Sequence, residues 1–341
     1  MSGERRISRK PASFGRRETS EACSTGPLLG RPRQARGVGK PGRQTHLRVS
    51  RRRSQQRHSA QDVAGIRRQE GPLNSTLTLP NGRRLAFAEA GAGEPVVLVH
   101  GSPGDGRSWV RVIPLLADRF HVMAVDLPGY GRSDPLPEHE TNRTAAMGAT
   151  VSVLIESFSE PVRLCGHSYG GNVALHAAIH RPATVKHLTL LEPVAFRALK
   201  LADDRHTLAA ATQFFSSYTD RVTGGETDAV SDMIDFWFGR GSFSKLPSAV
   251  QAYLKASAAK NGVDVRASLS ETTTCAELRT LTGPATVAYG DASPATAAAI
   301  ARALARLLPN SETCTVAGAA HGMLDTHPQD VAALVGALPM R

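Results

Sequence analysis

Short apolar runs recur along the chain, at residues 95–99 (PVVLV), 121–125 (HVMAV), 162–165 (VRLC), 186–191 (KHLTLL), 285–289 (ATVAY) and 312–316 (ETCTV). Runs of this length, bounded by turn residues, predict buried strands of a mostly parallel sheet. Helix-compatible stretches such as 171–180 stand between them, so the chain alternates in the manner of an α/β protein. Residues 73–79 and 83–90, around Pro80-Asn81-Gly82, predict an opening β-hairpin. From residue 194 to about 276 the strand signal lapses. Helix-compatible pieces at 201–218, 229–238 and 247–260 take over, with turns expected at Gly224-Gly225, at 239–242 and at Asn261-Gly262.

Chemistry enters at the junction of one predicted strand with one predicted helix. Gly166-His167-Ser168-Tyr169-Gly170 follows the run 162–165 and precedes the helix-compatible stretch, so it reads as a nucleophile elbow. A serine hydroxyl attacks a carbonyl only when held out of the fold, and a strand turning abruptly into a helix holds Ser168 that way. Gly166 and Gly170 fall where strand and helix approach too closely for a side chain. The plain alternative, a glycine-rich turn, is disfavoured by the strand before and the helix after. Upstream, the run 95–99 ends in His100-Gly101-Ser102-Pro103-Gly104, a turn able to aim backbone N–H groups at an anion. The backbone N–H groups of Ser102 and Tyr169 are assigned to an oxyanion hole. His100 reads as a structural histidine beneath that loop.

One of the chain's 12 histidines is expected to be the base. His321 follows the last predicted strand, sits among the small residues Ala317-Gly318-Ala319-Ala320 and precedes the final helix. An ordinary imidazole pKa of about 6.5 suits taking and returning a proton near neutrality. His167, His176, His180 and His327 are assigned to packing or surface roles.

Four motifs in order, HGSPG (100–104), DLPGYGRSD (126–134), GHSYGG (166–171) and GAAHG (318–322), make the chain resemble the α/β-hydrolase superfamily over residues 72–341. The resemblance implies a mostly parallel eight-stranded sheet flanked by helices, with the site at the carboxyl ends of the strands and a helical cap over 194–276. It also implies a triad acid, and here the chain departs from the pattern. After the strand 285–289, where relatives usually carry Gly-x-x-Asp, this chain has Gly290-Asp291-Ala292-Ser293-Pro294, with Ser293 in the acid's place. Two replacements offer themselves. Glu192 closes the apolar run 186–191, and a charge ending such a strand lies at the sheet's carboxyl edge. Asp291 lies in the departing turn itself. Glu192 is the preferred acid; Asp291, alternatively a turn former, remains open. Serine at the elbow argues against dehalogenase or epoxide hydrolase chemistry, for which the family uses aspartate. Phe214, Phe215, Tyr218, Phe236, Trp237 and Phe238 are candidates to line an apolar pocket or to pack the cap.

Charge divides the chain. Residues 1–70 hold 18 Lys and Arg against 5 Asp and Glu, whereas the rest holds 23 against 25, so the formal +11 belongs to the first segment. Rich in Arg, Ser, Gly and Gln and without apolar periodicity, that segment is expected to be a disordered basic tail, either a start-site artefact or a targeting segment. A nucleic-acid arm is disfavoured because its single aromatic, Phe14, offers almost no stacking. Residues 71–341 suffice for one α/β-hydrolase domain with its cap. No run of transmembrane length and no signal-peptide pattern stands out, so a cytoplasmic protein is expected, with a homodimer as an option. Cys23, Cys165, Cys275 and Cys314 lack paired metal spacing, and neither a metal nor an organic cofactor is required.

Two function classes follow. The first is a serine hydrolase acting on a small ester, thioester, lactone or C–C diketone bond through Ser168, His321 and Glu192. A cofactor-free haloperoxidase or perhydrolase is a variant of it. The second is a ligand-binding or receptor-like protein on the same fold, kept open by the displaced acid.

Overall fold

The eight predicted strands form, each within a residue or two of its apolar run: β1 (Leu73–Thr78), β2 (Arg84–Ala90), β3 (Glu94–Val99), β4 (Phe120–Val125), β5 (Val162–His167), β6 (Val185–Leu191), β7 (Ala285–Gly290) and β8 (Ser311–Val316). The computed structural model describes residues 73–137 and 140–337; the basic segment 1–70 lies outside the described residues. One sheet has the order β1-β2-β4-β3-β5-β6-β7-β8. β1 and β2 form the expected hairpin, closed at Gly82, whose N–H bonds the Leu79 carbonyl at 2.9 Å with φ +80°. β2 meets β4 antiparallel, and every pair from β4 to β8 is parallel.

The strands run apolar without interruption because both faces of the sheet are covered. Successive side chains point to opposite faces. Val97, Val99, Met123, Val125, Leu164 and Leu190 therefore enter one core with the helices Arg143–Glu156, Tyr169–His180 and Ala295–Leu307. Val96, Leu98, Val122, Ala124, Cys165 and Leu191 enter the other, with Trp109, Ile113, Leu116, Val331 and Val335. Each Val, Leu, Ile or Met among them, fully buried, contributes roughly 1.5–3 kcal/mol by area removed from water.

Between β6 and β7 the chain forms only helices: Phe196–Leu201, Arg205–Thr223, Val230–Phe238, Ser248–Ala256, Ala258–Leu269 and Cys275–Arg279. Turns form at Gly225 (φ +91°), Gly239 (φ +97°) and Gly241 (φ +77°) as the sequence predicts. Asn261-Gly262 does not turn. It lies inside the helix Ala258–Leu269, where a Cβ on Gly262 would stand 2.5 Å from Val222 Cγ2. The glycine lets this helix press against Arg205–Thr223, and that contact overrides its local preference for a turn. Among the described residues no helix is long and apolar enough to cross a membrane.

Candidate active site

Ser168 stands between the last residue of β5 and the first turn of Tyr169–His180, with φ 56° and ψ −123°. Only a rigid surround sustains such a conformation in a residue other than glycine, at a cost of order 1–3 kcal/mol. The surround is tight. A Cβ on Gly166 would lie 2.2 Å from the Gly170 carbonyl oxygen, and one on Gly170 would lie 2.2 Å from the His100 carbonyl oxygen. Strand, helix and the loop after β3 thus meet backbone to backbone, and Ser168 N–H is fixed to the Leu191 carbonyl at 2.9 Å.

Three side chains from three strand ends form one hydrogen-bonded line. His321, in the loop after β8, brings Nε2 to 3.0 Å from Ser168 Oγ and Nδ1 to 2.7 Å from Glu192 Oε2. Glu192 follows β6 directly, also at positive φ (44°), and its side chain is buried. Its other oxygen, Oε1, accepts from Gly290 N–H at 2.8 Å and from Ser293 Oγ at 2.5 Å. Burial by itself would raise the Glu192 pKa. The bonds from His321, Ser293 and Gly290 outweigh it and hold the carboxyl below its ordinary value. Asp291 is not in this line: its Oδ1 accepts from Gly318 N–H at 2.6 Å on the exposed side of the turn. Ser293, in the place of the usual acid, reaches the imidazole only through Glu192.

The remaining assigned groups gather around Ser168. His100 is wholly buried; its Nδ1–H donates to the Gly101 carbonyl at 2.8 Å, and its Nε2 accepts from Leu127 N–H at 2.9 Å. Both ring nitrogens hold loops, which suits the structural reading. Ser102 and Tyr169 flank the serine, and their backbone N–H groups donate to no carbonyl in the described turns and loops. Ser102 is gripped from the helical segment. Asn261 Nδ2 donates to its carbonyl at 3.2 Å and its hydroxyl at 3.1 Å, while Asn261 Oδ1 accepts from Tyr218 OH at 2.7 Å. Ser102 Oγ also meets Tyr130 OH at 3.0 Å, and Tyr130 OH donates to the buried Asp264, which pairs with Arg143 Nε at 2.7 Å.

A cavity of about 250 Å³ opens over Ser168. Of the six aromatic candidates, Phe215, Trp237 and Phe238 line it; Phe214 and Phe236 stack on each other behind that wall at 4.6 Å, and Tyr218 holds Asn261. Trp237 lies nearly parallel to the His321 imidazole, with centroids 4.5 Å apart and planes 22° from parallel. Sequence order offers no sign of this contact or of the Asn261–Ser102 clamp, because each joins residues far apart in the chain. His167, assigned to packing, is closer to the chemistry: its Nε2–H donates to the His321 carbonyl at 2.8 Å, and burial, with the His321 charge adding to it, pushes its pKa down to about 3.

A mostly parallel eight-stranded sheet with a serine elbow at its centre defines a fold of the α/β-hydrolase type. The model of the alpha/beta hydrolase family matches residues 96–334, and the chain belongs to that family. Among curated relatives, (E)-2-((N-methylformamido)methylene)succinate hydrolase of Acinetobacter baylyi is 28% identical over 180 residues, 52% of this chain and 62% of that protein. The 2-hydroxymuconate semialdehyde hydrolase of a Pseudomonas species is 36% identical over 127 residues, 36% of this chain and 44% of that protein. The chain thus spans less than two thirds of either relative's length. Among solved structures, Cfl2 of Burkholderia cenocepacia is 26% identical, with a TM-score of 0.58 over 78% of this chain and 95% of its own. An esterase of Exiguobacterium antarcticum, 16% identical with a TM-score of 0.62 over 78% of this chain and 100% of its own, shares the fold.

Proposed function

We propose that the protein is a serine hydrolase that cleaves a small-molecule ester, thioester, lactone or C–C diketone bond through an acyl-enzyme. The observation that carries this reading is the unbroken line from Ser168 Oγ through His321 to Glu192 Oε2, at 3.0 and 2.7 Å. In the first step His321 Nε2 takes the Ser168 proton as Oγ attacks the carbonyl carbon, and the oxyanion is held by the N–H groups of Ser102 and Tyr169. Glu192 keeps Nδ1 protonated, aims the ring and stabilises the imidazolium without itself taking the proton. The imidazolium protonates the leaving group. His321 next deprotonates a water, which attacks the acyl carbonyl; the intermediate collapses as the imidazolium returns its proton to the departing Ser168 Oγ.

The helices from residue 194 to about 276 serve as a cap that roofs the cavity and selects the substrate. The curated relatives carry names of several hydrolytic reactions, which supports the reaction class and leaves the bond open among the four. The same line weighs against the receptor-like alternative. The ground for that alternative is the displaced acid, and Glu192 Oε2 stands 2.7 Å from His321 Nδ1 to fill that role.

Fluorophosphonate labelling of the full chain, followed by intact mass, tests the reading. The expected result is one adduct formed rapidly on wild type and absent from Ser168→Ala. A folded wild type that remains unlabelled would overturn it.

A further inference from the structure

The cavity over Ser168 has walls of uneven chemistry. Val194, Phe196, Phe215, Met233, Ile234 and Trp237 form an apolar side contributed by the segment after β6 and its helices. The formally charged residues among the described lining are carboxylates, Asp264 and Asp325, and none of that lining is Lys or Arg. Asp264 is fully buried, with Oδ2 accepting from Tyr130 OH and Oδ1 from Arg143 Nε. Asp325 is exposed at the rim, 3.4 Å from Arg111 Nε. Two neutral groups beside Ser168 are engaged as well: Asn261 gives its N–H groups to Ser102, and the Ser102 hydroxyl is shared between Asn261 and Tyr130. Of the cations beside this network, Arg143 is bound to Asp264 at 2.7 Å, and Lys260 has Nζ over the Tyr130 ring at 3.5 Å and hydrogen-bonded to the Gly129 carbonyl.

We infer that the substrate carries an uncharged, apolar carbon skeleton, and that the cavity rejects anionic ones. The inference rests on the proposed hydrolase reading and deepens it. A carboxylate brought into this cavity loses water and finds no Lys or Arg in the lining, and the arginines nearby are already paired with Asp264 and Asp325, so its desolvation goes uncompensated. An apolar chain or phenyl ring gains by burying its surface against the aromatic wall. The volume sets the size. A cavity of roughly 150 Å³ takes one benzene ring, and pockets for drug-sized ligands start near 300 Å³. At about 250 Å³ this one suits a single ring with a short chain, or an acyl chain of comparable bulk.

The test pairs two p-nitrophenyl esters of equal carbon count, the hexanoate and the adipate monoester with its free terminal carboxylate, assayed with the full chain at pH 7. Alongside, Ser168→Ala is titrated with hexanamide and with the monoamide of adipate, and binding is read by saturation-transfer NMR. The hexanoate is expected to exceed the adipate monoester at least 100-fold in kcat/KM. Hexanamide is expected to bind while the anionic amide, at ten times the concentration, does not. Equal turnover of the two esters, or equal or tighter binding of the anionic amide, would overturn the inference, as would failure of hexanamide to bind. If neither ester is cleaved yet hexanamide alone binds, the hydrolase reading fails and the preference for an uncharged ligand holds.

Discussion

Ser293 donates its hydroxyl hydrogen to Glu192 Oε1 across 2.5 Å, so the residue standing where relatives usually carry an acid bonds the carboxylate at the end of β6. The exchange is reciprocal. A hydroxyl on β7's turn fills one lone pair of a carboxylate whose other oxygen holds His321, and the two strands still deliver one negative charge to Nδ1.

Replacing Glu192 removes that charge. Glu192→Gln is expected to lower kcat on the order of 10³- to 10⁴-fold, as loss of an orienting carboxylate does. Asp291→Asn, whose carboxylate serves only Gly318 N–H, is expected to stay within a few-fold of wild type. Initial rates on a p-nitrophenyl ester decide: the reverse ranking would return the acid to Asp291.

A carboxylate restored at the usual position is expected to reach the same ring once Glu192 is removed. The double variant Glu192→Ala/Ser293→Asp is expected to recover at least tenfold of the activity lost in Glu192→Ala. Recovery no better than Glu192→Ala/Ser293→Asn would show that the turn cannot deliver an acid to Nδ1.

Acid sensitivity follows from the same carboxyl. Its pKa in the folded protein lies below the unfolded value of about 4.3. A group depressed on folding contributes stability that is fully present above the unfolded pKa and is lost as pH falls through the folded one. Urea midpoints of wild type and Glu192→Gln should therefore differ most at pH 6–7 and converge below about pH 4. A gap that widens on acidification would contradict the assignment.

His167 and His321 face each other at 4.9 Å between ring centroids, yet His167 is expected to stay neutral through the working range. Burial, reinforced by the His321 charge, pushes His167 down to about 3. His167→Gln, which can keep an N–H donor toward the His321 carbonyl, should leave the acid limb of the kcat/KM profile within a few tenths of a pH unit of its wild-type position. A displaced limb would mean that His167 shares the proton.

Asn261 is expected to act through Ser102. Asn261→Ala leaves the Ser102 carbonyl and the Tyr218 hydroxyl unpaired, at about 1–3 kcal/mol for a buried polar group. The loss should fall on kcat by roughly 10- to 100-fold, with KM little changed, because the loop's N–H matters most when charge develops on the substrate oxygen. A loss confined to KM would make Asn261 a ground-state contact instead.

What the sequence makes legible and what it hides divide along physical lines. The strands are legible because a sheet covered on both faces demands unbroken apolar runs. The elbow is legible because backbone contact at 2.2 Å admits only glycine at 166 and 170. Glu192 is legible as a charge that no buried strand tolerates except at its end. The helical segment is harder. Asn261-Gly262 carries the composition of a turn, and only the Val222 side chain, 39 and 40 residues upstream of the pair, explains why it is helix. The Trp237 stack and the Ser102 clamp are tertiary contacts with no local signature, so neither can be read before the chain is folded.

The chain has two tryptophans, and the fold sets them in opposite surroundings. Trp109 is sealed on one side of the sheet with no exposure, whereas Trp237 forms a wall of the cavity and lies flat on the His321 ring. Protonating that ring places a cation against an indole face, and a ligand entering the cavity displaces whatever lies beside it. The ultraviolet emission is therefore expected to divide into a constant part from Trp109 and a variable part from Trp237 that registers occupancy and proton transfer without an added dye.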